Sequence, residues 1–488
     1  MNLTNRRAFL RTTATATFAA GLMPSLGRVL GANDAIRVAV VGFGGRGTSH
    51  IEAFSTLPGS RLVALCDADR TILDAGAKRL ADKGNPVRTY TDVRRLLEDK
   101  EVDAISTATP NHWHSLIVVW SCQAGKDVYV EKPVSHNVFE GRQAVAAARK
   151  YKRIVQTGTQ SRSNEGFREA IAWVRAGNLG KIRVARGLCY KRRASIGKVS
   201  GPQPIPAGID YELWCGPALK LPLMRQRLHY DWHWVWNTGN GDIGNQGIHQ
   251  MDIARWALGK NALSPRILSV GGRFGYIDDG ETPNTQFAIH DYGDALLIFE
   301  VRGLPSGAPE PTAGAEKGEK VREEMDKYRG QSIGNVIECD HGYLSGTTAF
   351  DLDGKEIRKF AARGEENHFA NFLKAVRSRN AKELNAEILE GHLSSALCHT
   401  SNISHRVGHK ARPEEVREAI KAQPAAVETF ERFQAHLARH KVDLNLDQAT
   451  LGAFLHMDPK KERFIGNPAA NELITRPYRA PFVVPEKV

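Results

Sequence analysis

The residues best suited to chemistry crowd into the first third of the chain. Gly42-Phe43-Gly44-Gly45-Arg46-Gly47 follows Ile36-Arg37-Val38-Ala39-Val40-Val41, a β-branched apolar run suited to a buried parallel strand, and precedes a helix expected over Thr48 to Leu57. In such a turn the glycines allow a tight bend and the close approach of a pyrophosphate, whose charge meets backbone N–H groups at the helix N-terminus. Asp67 ends a second strand, Arg61 to Cys66, 20 residues after Gly47, where a carboxylate accepts from the adenosine ribose hydroxyls. The pattern is that of a dinucleotide site. The Asp67 carboxylate would repel a 2′-phosphate and favours NAD; NADP is the alternative if Arg46 or Arg70 offsets that repulsion.

Further strands are expected at Val102 to Ala108 and Asp127 to Val130, separated by a helix from Ser115 to Ala124. Two loops then open at strand C-terminal ends, Thr109-Pro110-Asn111-His112-Trp113-His114 and Glu131-Lys132-Pro133, both facing the crevice where open α/β sheets bind ligands. The prolines disfavour helical geometry in the residue before them, so Thr109 and Lys132 are expected in extended backbone. Thr109, Pro110, Asn111, His114, Glu131 and Lys132 thus join the glycine turn and Asp67 as candidate cofactor residues.

A second concentration of polar and aromatic groups runs from His229 to Asn237 as His-Tyr-Asp-Trp-His-Trp-Val-Trp-Asn. Aromatic faces pack against the C–H faces of sugars while neighbouring polar groups bind hydroxyls, so Tyr230, Trp232 and His233 are candidate substrate contacts; packing as a core strand is the alternative. His229, His233 and His249 lack a convincing ligand spacing, and no metal is expected.

Taken in order, the glycine turn, Asp67, Thr109-Pro110-Asn111 with His114, Glu131-Lys132-Pro133 and Gly247-Ile248-His249-Gln250-Met251-Asp252 resemble the glucose-fructose oxidoreductase, inositol dehydrogenase and rhizopine-catabolism (Gfo/Idh/MocA) family over roughly residues 35 to 405. The resemblance implies an α/β protein: an N-terminal Rossmann domain followed by an α+β domain with a large open, mostly antiparallel sheet that forms the substrate floor and often an oligomer interface. It implies Lys132 and His249 as the catalytic pair, with lysine polarising the substrate oxygen and histidine transferring a proton. One departure stands out. Family dehydrogenases often carry Asp four residues before that histidine, where this chain has Asn245, so the proton relay of a simple dehydrogenase is in question. Asp242 and Asp252 are the nearby carboxylates.

The whole chain must position these groups. Its 488 residues, 41% hydrophobic and 25% charged, suit a soluble protein of two or three domains, and no apolar run beyond the N-terminus nears the roughly 20 residues a membrane span needs. The formal charge is +13, but Arg6, Arg7, Arg11 and Arg28 lie in a segment without acids, and the remaining basic residues are scattered, which argues against nucleic-acid binding. Residues 1–32 resemble a twin-arginine export signal (Asn5-Arg6-Arg7-Ala8-Phe9-Leu10-Arg11), which implies the twin-arginine machinery as a partner and a periplasmic destination reached with the cofactor already enclosed. The expected boundaries are leader 1–32, NAD-binding domain 33–158, substrate domain 159–408 and C-terminal extension 409–488. Six widely spaced cysteines are expected to be mostly buried thiols. Residues 303–332 read as an insertion, and Arg476 to Pro485 as an extended tail that wraps a neighbour or its own first domain. The expected activity is oxidation of a sugar, glycoside or polyol hydroxyl in a homo-oligomer. A redox-neutral NAD-dependent glycoside hydrolase is an alternative, and a non-catalytic sugar or nucleotide sensor is the alternative from a different class.

Overall fold

The computed structural model describes residues 35–306, 324–361 and 367–488. The expected export leader and most of the expected insertion lie outside the described residues.

Six parallel strands, β1 (Ile36–Val41), β2 (Ser60–Cys66), β3 (Arg88–Tyr90), β4 (Ala104–Thr107), β5 (Asp127–Val130) and β6 (Val155–Thr157), form a sheet in the order β3-β2-β1-β4-β5-β6, the doubly wound dinucleotide-binding arrangement. β4 and β5 are buried along their whole length, as expected of parallel strands covered on both faces. The order reverses beside β1, so a crevice opens at the C-terminal ends of β1 and β4. One helix boundary differs from expectation. The helix after β4 spans Asn111–Gln123 rather than beginning at Ser115, because Pro110 in extended geometry occupies its N-cap and the helix starts directly behind it. Asn111 to His114 therefore lie in its first turn.

The second sheet has twelve strands: β7 (Ile182–Tyr190), β8 (Arg266–Gly272), β9 (Thr285–Asp291), β10 (Leu296–Arg302), β11 (Ile333–Cys339), β12 (Gly342–Ser345), β13 (Thr348–Phe350), β14 (Glu356–Lys359), β15 (His409–Ala411), β16 (Ala449–Leu451), β17 (Leu455–Asp458) and β18 (Arg463–Ile465). It is open and mixed: β7 and β10 pair in parallel and the other pairs are antiparallel. Alternation along β10 divides its side chains between two cores. Leu297, Phe299 and Val301 face the helices Glu165–Arg175, Gly247–Leu258 and Ile388–Arg406, whereas Leu296 and Ile298 face helices Pro413–Ile420 and Pro424–Arg439. The residues after 409 thus extend the substrate-domain sheet and cover its far face. The tail from Arg476 returns to the first domain, where Phe482 packs edge-on against Trp113 and Val484 joins the same core. All six cysteines are buried free thiols.

Charge as well as apolar surface joins the far-face helices to the sheet. Buried Glu300 accepts from Arg432 at 2.7 and 2.8 Å and from the Tyr190 hydroxyl at 2.7 Å. Burial alone would raise this carboxyl, but Arg432, Arg302 and Arg186 outweigh it and hold it down at about 2. A carboxylate depressed in the folded state contributes stability that is present above its unfolded value and lost as pH falls through the folded one. Between about pH 4.5 and 2 the protein is expected to lose roughly 2–3 kcal/mol from this group. Denaturant titrations across that range, monitored by the proton uptake on unfolding, check it.

Candidate active site

A cavity of about 430 Å³ occupies the crevice, floored by the first domain and roofed by the second. Among the residues singled out from sequence, Gly42, Phe43, Gly44, Gly45, Arg46, Asp67, Thr109, Pro110, Asn111, His114, Glu131, Lys132, Tyr230, Trp232, His233 and Asn245 line it; Gly47 and His249 do not. Gly47 serves the turn from inside: a Cβ there would lie 2.2 Å from the Gly42 carbonyl oxygen. His249 sits half-buried in the first turn of helix Gly247–Leu258, two residues into it.

The glycine turn fits a dinucleotide for reasons visible in its packing. Gly42 adopts φ +74°, and a Cβ on it would meet Thr109 at 2.7 Å, so backbone freedom and close approach are both required there. The Phe43 ring packs on Gly76, whose own Cβ would lie 2.5 Å from it. A Cβ on Gly45 would meet nothing within 4 Å, leaving open space in front of the helix Gly47–Thr56, whose first turn carries no acid. Asp67, at the end of β2, accepts from the Phe43 N–H at 3.1 Å and the Asp69 N–H at 3.0 Å; burial raises its pKa. Each carboxylate oxygen keeps acceptor capacity for a ribose hydroxyl. A pyrophosphate-bearing cofactor would be held by the Gly42–Gly47 amides and its ribose by Asp67.

At the opposite end, Lys132 precedes a cis peptide bond to Pro133 and donates to the main-chain carbonyl of Asn245 at 2.9 Å. Burial lowers its pKa, against the opposing pull of Glu131. Glu131 is itself buried, accepting from Arg46 Nε at 3.0 Å, His50 Nε2 at 3.2 Å and Gln160 Nε2 at 3.2 Å. Burial would raise it, but His50, Lys132 and Arg46 keep it well below the usual carboxylate range. Glu131 is thus the counter-charge beneath Lys132. His114 bridges the two loops, its ring nitrogens 2.6 Å from the Pro133 carbonyl and 2.8 Å from that of Thr109. The Asn111 side-chain amide donates across the domain boundary to Asn240 at 3.0 Å.

Neither neighbouring carboxylate replaces the missing aspartate. Asp242 is held bidentate by Arg193 at 2.8 and 2.6 Å, and buried Asp252 accepts from Arg162 at 2.7 and 2.9 Å and from Ser394 at 2.6 Å. The contact from position 245 to Lys132 is made by its backbone, so it does not depend on the side-chain type.

Sequence reasoning found only part of the roof. Leu213 and Trp214, on the short helix Tyr211–Cys215, and His229 line the cavity, and His229 Nε2 lies 3.0 Å from Asp69, the N-cap of helix Arg70–Asp82. The tail pins this roof: Arg479 pairs with Glu212 and donates to the carbonyls of Glu212, Ala218 and Gly216. The aromatic run pointed to His229, but nothing local marks Leu213 or Trp214. Among the described residues no cluster of three potential metal ligands occurs, and no helix is long and apolar enough to cross a membrane.

Fold and cavity together define a two-domain dinucleotide-binding protein. Residues 36–159 match the Gfo/Idh/MocA oxidoreductase family's NAD-binding Rossmann fold and residues 174–280 that family's C-terminal alpha/beta domain. A myo-inositol 2-dehydrogenase from Thermotoga maritima is 27% identical over 288 residues, covering 55% of this chain and 74% of that protein. A glycosyl hydrolase family 109 protein from Shewanella putrefaciens is 34% identical over 120 residues; that match covers 24% of this chain and only 26% of the relative. The WlbA dehydrogenase of Bordetella pertussis, solved with NADH and UDP-GlcNAcA, shares the fold at 19% identity with a TM-score of 0.52, over 74% of this chain and 94% of that one.

The glycine geometry separates folding from binding. Gly45→Ala is expected to keep the unfolding midpoint within a few degrees while weakening NAD binding about tenfold or more, because its methyl enters the open cradle. Gly42→Ala is expected to cost about 1–3 kcal/mol of stability as well. Paired NAD titrations and thermal melts check both.

Proposed function

We propose that this chain is an NAD-dependent oxidoreductase that acts on a hydroxyl of a sugar, glycoside or polyol and keeps its cofactor between turnovers. The observation that carries this reading is that Lys132 lines one cavity together with the open glycine turn and with Tyr230, Trp232 and His233. Bound NAD would supply a two-electron acceptor. The Lys132 ammonium, desolvated and balanced by Glu131, is positioned to meet the substrate oxygen and stabilise negative charge there as its proton leaves. Trp232 and Tyr230 offer aromatic surface to the C–H face of a sugar ring. On the resemblance, His249 completes the site with Lys132.

NAD is favoured over NADP because Asp67 lines the cavity at the ribose end and Arg46, one of the two cations that could offset its charge, is paired with Glu131. Retention is supported by the roof, since the 211–234 region over the cavity is tied down through His229 to Asp69 and through Arg479 to Glu212 and Gly216. That suits the export leader, since an enzyme crossing the membrane folded would carry its cofactor with it. The family 109 relative favours a second reading, redox-neutral cleavage of a glycoside, in which oxidation is transient and no reduced cofactor accumulates.

Cofactor-loaded protein offered glucose, myo-inositol, UDP-N-acetylglucosamine and aryl glycosides is expected to accumulate NADH absorbance with at least one of them. Glycoside cleavage without NADH would establish the second reading, and silence with bound NAD would leave a sensor. Lys132→Met is expected to lower kcat about 10³-fold with NAD affinity changed less than threefold. Arg479→Ala combined with Phe482→Ala is expected to speed NAD release about tenfold, measured by stopped-flow chase with an NAD-consuming enzyme.

A further inference from the structure

His233 occupies a setting built to fix its proton. It sits on the 3₁₀ turn Asp231–Trp234, and Tyr230 immediately before that turn adopts φ +66°, a left-handed conformation rare for a bulky residue. This geometry brings the Tyr230 carbonyl within 2.5 Å of His233 Nδ1, which must therefore donate. With Nδ1–H committed, the neutral ring presents Nε2 as a bare acceptor. No described residue bonds to Nε2, and His233 lines the cavity with Lys132.

The turn is held from several sides. Buried Asp231 is clasped by Arg227 at 3.0 and 2.8 Å, and the Thr238 hydroxyl donates to the Trp232 carbonyl at 2.9 Å. The main chain passes so close behind that a Cβ on Gly239 would lie 2.3 Å from the His233 carbonyl oxygen. Above the imidazole, the Trp232 ring stacks at 3.6 Å between centroids and 20° between planes. The Tyr230 hydroxyl is fixed by Arg193, which Asp242 holds in turn. Burial drives the His233 pKa down to about 3, opposed by the Tyr230 carbonyl and reinforced by the cations Lys132 and Arg193, so the resting ring is neutral and takes up a proton only where negative charge develops beside it. His249, by contrast, has no hydrogen-bond partner among the described residues that would select one tautomer.

Resting on the oxidoreductase reading, we infer that His233 is the group that accepts the proton of the substrate hydroxyl, with the Tyr230 carbonyl as the device that keeps Nε2 free to do so. In the step the O–H bond breaks, an N–H bond forms at Nε2, and the electron pair stays on oxygen beside the Lys132 ammonium. The resulting imidazolium keeps its Nδ1–H bond to Tyr230, so no reorientation is needed.

Two measurements test this. Long-range ¹H–¹⁵N NMR of the full chain with ¹⁵N-labelled histidine, assigned by loss of one ring in His233→Gln, is expected to show the Nδ1–H tautomer with unprotonated Nε2 at pH 7. Against whichever compound of the panel reduces NAD, His233→Gln is expected to lower kcat/KM about 100-fold or more, with NAD affinity within threefold and partial rescue of His233→Ala by imidazole. A protonated Nε2 in the resting protein overturns the inference. So does wild-type kcat/KM in His233→Gln while the unaltered chain is active. If the unaltered chain reduces NAD with no compound, the oxidoreductase reading itself falls, a result distinct from failure at His233 alone.

Discussion

The desolvated ammonium of Lys132 is the group around which the remaining architecture is arranged. A cation withdrawn from water loses several kcal/mol unless an anion or oriented dipoles replace the solvent. Here the anion is Glu131, one residue earlier, and the dipole is the Asn245 carbonyl from the other domain. Glu131 cannot do this alone, because burial pushes a carboxyl toward its neutral form. His50, Arg46 and Gln160 therefore converge on it, each from a different element: His50 from helix Gly47–Thr56, Arg46 from the glycine turn and Gln160 from the segment after β6. The glycine turn and the counter-charge of Lys132 are thus one connected unit. Altering the turn disturbs Arg46, and with it the balance at Lys132.

Closure of the cavity depends on contacts between domains that are individually polar and modest. Lys132 to Asn245, Asn111 to Asn240 and His229 to Asp69 each span the boundary. They orient the second domain over the first more than they bind it there, since a hydrogen bond contributes only about 1 kcal/mol net. Apolar adhesion comes from elsewhere. Phe369 and Phe372, on the helix His368–Ser378, pack into the core of the first sheet, and the tail contributes Phe482 and Val484 to its opposite core. The first domain is consequently clasped by residues from the last quarter of the chain, while its site is roofed by residues 211–234.

What was legible in the sequence follows the range of the physics involved. The strand, glycine turn and helix from Ile36 to Thr56 were readable because their determinants lie within about twenty residues: β-branched packing, left-handed φ at Gly42 and an open helix end. The helix at Asn111 was placed four residues late because His112-Trp113-His114 looks like a loop when read alone; Pro110 as N-cap is what decides it. Strands of three residues, such as β15, β16 and β18, are shorter than any period-2 signal, so the residues after 409 read as an appendage although they complete the sheet. Leu213 and Trp214 became cavity residues only through contacts with the first domain: both carbonyls lie 3.1 Å from the Trp113 indole N–H, and that of Trp214 lies 3.0 Å from His112 Nε2.

The Asp252 network shows why motif position alone is a poor guide to role. Asp252 stands in the stretch Gly247 to Asp252 that carries the family resemblance, and on sequence it competed for the place of a proton-relay carboxylate. Its oxygens are spent on Arg162 and Ser394, with Arg255 and Glu390 extending the pairing. A carboxylate so thoroughly hydrogen-bonded stays ionised, as the depressed pKa of Asp252 indicates, and has no acceptor site facing the cavity. Its effect is to lock helix Gly247–Leu258 against helix Ile388–Arg406 and the turn at Arg162. That lock holds the helix that directly follows the short helix Gly241–Asn245, whose last carbonyl receives Lys132. A residue outside the cavity lining thereby supports the element next to residues that line it, and its worth to the site is measured in geometry.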